Sequence, residues 1–205
     1  GSTGDSGHPE VIRDAGKRAE LMSLMATFIS HYAGREEIRA WDVINEPLYA
    51  LDGNLGKPST VTAGEMTTFI EDVMTVIRTN DSGKDVTVGF AKRQALEPGT
   101  GYWNTFVDGV GVNDVDLGQI HYWDQDHGNN FDDLSFSTTN AVFNNIPFIV
   151  GEIDPESPDL GDPDASGKLD AVFNGGYQGG MFWQDVSIVI SISDFNKIDG
   201  WFNGV

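Results

Sequence analysis

The sequence predicts an α/β fold in which about five parallel strands alternate with helices. Three observations predict it. Apolar runs of strand length recur between stretches of helical period. Two of those runs end abruptly in a carboxylate, at Asn45-Glu46-Pro47 and at Gly151-Glu152. No internal repeat and no dividing linker interrupts the 205 residues, a length that suits one domain. Strands joined through helices imply right-handed crossovers and a parallel sheet covered on both faces.

The elements follow in order. Residues 1–8 are polar and glycine-rich, and read as an expression scar, a linker or the ragged end of a longer chain; residues 9–205 are then the folded domain. From about Val11 to Tyr32, Leu21, Leu24, Met25, Phe28 and Ile29 recur at helical spacing, and Gly34 follows as a helix stop. Ile38–Asn45 is the first strand: Trp41, Val43 and Ile44 suit a packed pleat, and Pro47 has no N–H for a ladder, so the strand stops by Glu46. Thr62–Thr79 is a second amphipathic helix, with Met66, Phe69, Ile70, Val73 and Ile77 on one face. Asp85–Phe90 is the second strand. A short helix over Trp103–Val110 leads to a strand over Val115–Trp123, and a helix near Ser137–Asn144 leads to the apolar strand Pro147–Glu152. Ala165–Asn174 is helical, and Gly179–Gln184 is the fifth strand. Trp41 and Phe148, inside strands, read as core.

Composition narrows the function. With 32 acidic residues against 12 basic ones, the net charge is −20. A phosphate-tracking surface needs clustered Lys and Arg, so nucleic acid and anionic membranes are disfavoured as partners, while a neutral substrate, a cation or a high-salt habitat is compatible with the charge. No apolar run approaches the roughly 20 residues that span a bilayer. Cysteine is absent, which removes disulfides and thiolate metal sites. His8, His31 and His127 show no metal-ligand spacing, and no phosphate-cradling glycine pattern follows a strand. Asp154, Glu156, Asp159, Asp162 and Asp164 crowd one loop, but not at the spacing of a calcium-binding hand; they read as a solvated rim beside Glu152.

Glu46 and Glu152 both end apolar strands, and in a parallel sheet such ends share one face. Two carboxylates across a pocket suit glycosidic cleavage: one protonates the leaving oxygen while the other attacks the anomeric carbon. A gap of about 5–5.5 Å means retention of configuration and about 6.5–9.5 Å means inversion, and spacing in the chain leaves both open.

Four landmarks resemble one family. Trp41-Asp42-Val43-Ile44-Asn45-Glu46-Pro47, Gln119-Ile120-His121-Tyr122-Trp123, Phe148-Ile149-Val150-Gly151-Glu152 and Met181-Phe182-Trp183 are similar, in this order, to the ends of strands four, six, seven and eight in the retaining glycoside hydrolases of the (β/α)8-barrel superfamily that includes family 5 cellulases and mannanases. The resemblance implies a partial (β/α)8 barrel, beginning just before strand four and lacking strands one to three. It implies Glu46 as acid/base, Glu152 as nucleophile, Asn45 on the sugar 2-hydroxyl, and His121 and Trp183 around the central sugar. It implies further a carbohydrate substrate, no cofactor, and a secreted or extracellular location.

The family's His-x-Tyr has Trp123 at its third position here, with Tyr122 displaced by one residue. Either a bulge lets Tyr122 serve, or Trp123 lines the pocket and the nucleophile is held otherwise. A partial barrel also leaves two sheet edges that a homo-oligomer could cover. Two other functions stand beside hydrolysis: a carbohydrate-binding partial barrel without turnover, and a calcium-dependent acidic interaction module.

Overall fold

A computed structural model describes residues 9–51, 61–90, 115–122, 146–153 and 165–182. The fold class is α/β, that of a partial (β/α)8 barrel: among the described residues there are five strands, with helices before the first, between the first and second, and between the fourth and fifth. The chain divides into two compact units, one holding residues 1–90 and 94–118, the other residues 91–93 and 119–205.

In the first unit the expected leading helix is two helices, α1 (Pro9–Arg13) and α2 (Ala15–Tyr32). Asp14 separates them. Its carboxylate accepts the N–H groups of Gly16 and Lys17 at 2.8 and 3.0 Å, an N-cap that starts a new helix where apolar periodicity alone reads straight through. Arg18 ties the helices together, donating to the Ile12 carbonyl at 2.5 Å and to Asp72 at 2.7 Å. Gly34 has φ +75°, the left-handed conformation expected just past the helix end.

The apolar stripe of α2 is only partly covered. Ile29 is buried, whereas Leu24 and Phe28 are 69% and 57% exposed. The stripe is wider than the surface packed against it, and Phe28 instead meets the rings of Tyr32 and Trp41, at centroid distances of 5.0 and 6.1 Å.

Helix α3 (Ala63–Asn80) follows its sequence more closely. Thr62 and Glu65 form a capping box, with the Thr62 N–H donating to the Glu65 carboxylate at 2.8 Å and the Glu65 N–H to the Thr62 hydroxyl at 3.3 Å. All five residues of the expected face are buried, joined by Met74. Strands β1 (Ala40–Asn45) and β2 (Asp85–Phe90) pair in parallel, from Ala40 opposite Asp85 to Asn45 opposite Gly89. Between Asp42 and Asn45 the register shifts, because β1 advances three residues while β2 advances two.

In the second unit β3 (Gly118–Tyr122), β4 (Phe148–Ile153) and β5 (Gly180–Phe182) are neighbours in that order. Every residue of β3 is buried, as a strand covered on both faces should be. β4 and β5 pair in parallel through Val150–Gly180 and Ile153–Phe182. Helix α4 (Ala165–Asn174) ends in a Schellman motif: Tyr177 N–H reaches the Val172 carbonyl at 3.2 Å, Gly176 N–H reaches Phe173 at 3.1 Å, and Gly176 has φ +83°. A Cβ at Gly180 would lie 2.7 Å from Ile153 Cδ1, so β5 approaches β4 through a bare backbone. The expected helices at 103–110 and 137–144 and the acidic loop residues 154–164 lie outside the described residues. Among the described residues no helix is long and apolar enough to cross a membrane.

Candidate active site

At the end of β1 the chain makes an abrupt change of direction. Asn45 is the last strand residue and is exposed; Glu46 follows, half-buried, with φ +47°. That left-handed value is uncommon for a residue with a Cβ. Two backbone hydrogen bonds hold it: Glu46 N–H donates to the Gly89 carbonyl on β2 at 2.8 Å, and the Glu46 carbonyl accepts from Tyr49 N–H at 3.1 Å. Pro47 then opens a 3-10 turn, Pro47–Ala50. The register shift just upstream and the reversed φ together set where the Glu46 side chain departs from the strand.

In the second unit, His121 on β3 and Glu152 on β4 come together. His121 Nδ1 lies 3.6 Å from Glu152 Oε2, and both residues are buried, at 2% and 8% exposure. The other ring nitrogen of His121 lies 3.2 Å from Gln119 Nε2. Gln119 and His121 are alternate residues of one strand and so share a face. Tyr122, out of phase with both, sits on the other face: its ring lies under the ammonium of Lys168 from α4, with Nζ 5.5 Å from the ring centroid. Lys168 itself is fully buried.

Among the expected site residues, then, the structure joins His121 to Glu152, places Asn45 and Glu46 in sequence at the β1 terminus, and sends Tyr122 toward α4. Trp123 and Trp183 lie outside the described residues. Sequence reasoning passed over Gln119 and Lys168. The signal for Gln119 was available in its i, i+2 spacing from His121, and the signal for Lys168 in its place one turn before Val172 on the buried side of α4.

The site is built to hold a carboxylate at a strand end against a buried imidazole. Such a carboxylate can act as a nucleophile or proton carrier, with the imidazole beside it at 3.6 Å, just beyond direct hydrogen-bond distance.

No family model and no curated protein matches the sequence. Solved structures do match, and the class of fold they share is the (β/α)8 barrel fragment described above. The β-mannanase of the blue mussel Mytilus edulis matches with a TM-score of 0.72 at 19% identity, over 93% of this chain and 62% of that one. The β-1,4-D-mannanase of Cryptopygus antarcticus matches with a TM-score of 0.70 at 18% identity, over 94% and 60%. The endo-1,4-β-mannanase of Eisenia fetida matches with a TM-score of 0.69 at 20% identity, over 86% and 55%. The chain therefore spans less than two-thirds of the length of each.

Proposed function

We propose that this chain belongs to a glycoside hydrolase that cleaves β-linked mannan or a related neutral glycan with retention of configuration. The observation that carries the reading is the buried Glu152 carboxylate at the end of β4 with His121 Nδ1 at 3.6 Å. Its support is the likeness in fold to structures that are β-mannanases, and the order of strand-end motifs that the sequence shares with that superfamily.

In this reading a Glu152 oxygen attacks the anomeric carbon while the Glu46 carboxylic acid gives its proton to the glycosidic oxygen, and the leaving sugar departs as an alcohol. Glu46, now a carboxylate, takes a proton from water; the resulting hydroxide attacks the same carbon and releases Glu152. Asn45 holds the sugar 2-hydroxyl, His121 directs Glu152, and Trp183 offers a ring for a pyranose face to stack on. Trp123 remains a candidate for the pocket wall, while Tyr122, on the other face of β3, contributes through its packing under Lys168. The strong negative charge suits a neutral polymer, and such an enzyme works outside the cell, where the polymer is found.

The test is hydrolysis of aryl β-mannosides and mannan, with Glu46→Ala and Glu152→Ala alongside. Azide should restore turnover of an activated aryl glycoside in both variants. The glycosyl azide should be inverted only from Glu152→Ala and retained from Glu46→Ala. Unchanged rates in either variant sink the assignment. Binding of manno-oligosaccharide with no turnover in the unaltered chain would point instead to a carbohydrate-binding partial barrel.

A further inference from the structure

The side chain of Gln119 lies between two features of the second unit. On one side its Nε2 is 3.2 Å from His121 Nε2. On the other it rests against the main chain of Gly151, where a Cβ would come within 2.5 Å of Gln119 Cδ, 2.6 Å of Nε2 and 2.7 Å of Cγ. No real Cβ tolerates such contacts, so the room that Gln119 occupies exists because residue 151 is glycine. Gln119 is itself 5% exposed, and its amide is enclosed with the ring it faces.

The chemistry of the amide then constrains the ring. An amide NH2 only donates, so the imidazole nitrogen it meets must present a lone pair. A neutral imidazole with its lone pair on Nε2 carries its proton on Nδ1, the atom 3.6 Å from Glu152 Oε2. The opposite orientation of the amide would demand a proton on Nε2. The Nδ1 lone pair would then face a carboxylate oxygen unless the ring were doubly protonated.

We propose that Gln119, seated in the gap left by Gly151, is a positioning residue that fixes His121 as the neutral Nδ1–H tautomer and so directs a hydrogen-bond donor at Glu152. Its effect on turnover rests on the reading of Glu152 as nucleophile; its effect on the tautomer does not. A donor aimed at one carboxylate oxygen from 3.6 Å steadies that oxygen as the contact tightens around bound substrate. It also assists departure of the carboxylate when the covalent intermediate breaks down.

The experiment is long-range nitrogen–proton NMR of the imidazole in the full chain, followed by kinetics. The unaltered protein should show a pyrrole-like shift at His121 Nδ1 and a pyridine-like shift at Nε2. Gln119→Met keeps the volume and removes the donor, and should shift the ring toward the other tautomer or a mixture. On an aryl β-mannoside it should lower kcat about ten-fold, with KM little changed. Gly151→Ala should expel the amide and reproduce the spectral change. Adding Gln119→Ala should recover the melting temperature of Gly151→Ala without recovering the tautomer. A pyridine-like Nδ1 or a doubly protonated ring in the unaltered protein overturns the proposal, and needs no variant to fold. Unaltered His121 shifts in Gln119→Met, or a changed tautomer with unchanged kcat, also overturn it. Absence of any hydrolysis together with the expected shifts would instead fall on the proposed function.

Discussion

Asp81 accepts the indole N–H of Trp41 at 3.0 Å, and with its other oxygen the N–H of Gly34 at 3.1 Å. One buried carboxylate at the end of α3 thus fastens both the turn after α2 and the first half of β1, the strand that ends at Glu46. Replacing Asp81 by Ala leaves two donors without this acceptor, at a cost of about 1–3 kcal/mol. Urea unfolding should report a lower midpoint with an unchanged slope, and Trp41 emission should move to longer wavelength as the indole gains water.

The backbone at Glu46 sets a second expectation. A left-handed conformation costs a residue with a Cβ about 1–3 kcal/mol, and costs glycine almost nothing. Glu46→Gly should therefore exceed Glu46→Ala in stability by about 1 kcal/mol, while both lose hydrolysis to a similar degree. Equal melting temperatures for the two would mean that φ at this position relaxes when the glutamate is removed.

A pH dependence follows from the helix caps. Backbone N–H bonds hold both capping carboxyls below their ordinary values, chiefly the Lys17 N–H for Asp14 and the Thr62 N–H for Glu65. The folded state thus binds these protons less readily than the unfolded state. Their stabilisation is complete above the ordinary values of 3.8 and 4.5 and is lost as pH falls through the lowered ones. The pair Asp14→Asn and Glu65→Gln should flatten the acid limb of a stability–pH curve and leave the neutral limb parallel. An unaltered acid limb would assign the loss to other carboxylates.

Close approach of β5 to β4 gives a fourth test. Gly180→Ala places a methyl 2.7 Å from Ile153 Cδ1, and Ile153 is fully buried and cannot swing clear. Overpacking of this kind costs about 1–3 kcal/mol. Ile153→Val removes the clashing atom, so the double variant should be more stable than Gly180→Ala alone, a sign reversal that calorimetry can read directly.

Much of this was legible in the residues, for reasons that differ by element. α3 announces itself because Thr62 and Glu65 mark its start and the face from Met66 to Ile77 keeps one period. β3 and β4 are legible as apolar runs because strands covered on both sides have no polar phase to confuse. The break at Asp14 was missed, since periodicity does not register a cap inside a helical stretch. Leu24 and Phe28 looked buried because a pattern shows which residues share a face, not how much surface a neighbour offers to cover it. The site was legible as residue types at strand ends. Its wiring was not: Gln119 matters only through the glycine on another strand that makes room for it, and such a vacancy has no signature in one dimension. The reversed φ of Glu46 was equally hidden, because glutamate advertises no preference for it.

The turn at Glu46 means that the main chain sets the direction in which the side chain leaves the strand, before any choice among rotamers. Shortening the side chain changes its reach but leaves that point of departure where it is. Deleting one residue between Asp42 and Asn45 would remove the register shift, and adding one would enlarge it; either moves the point at which Glu46 leaves the strand. This strand end is therefore far less tolerant of changes in length than of changes in side chain.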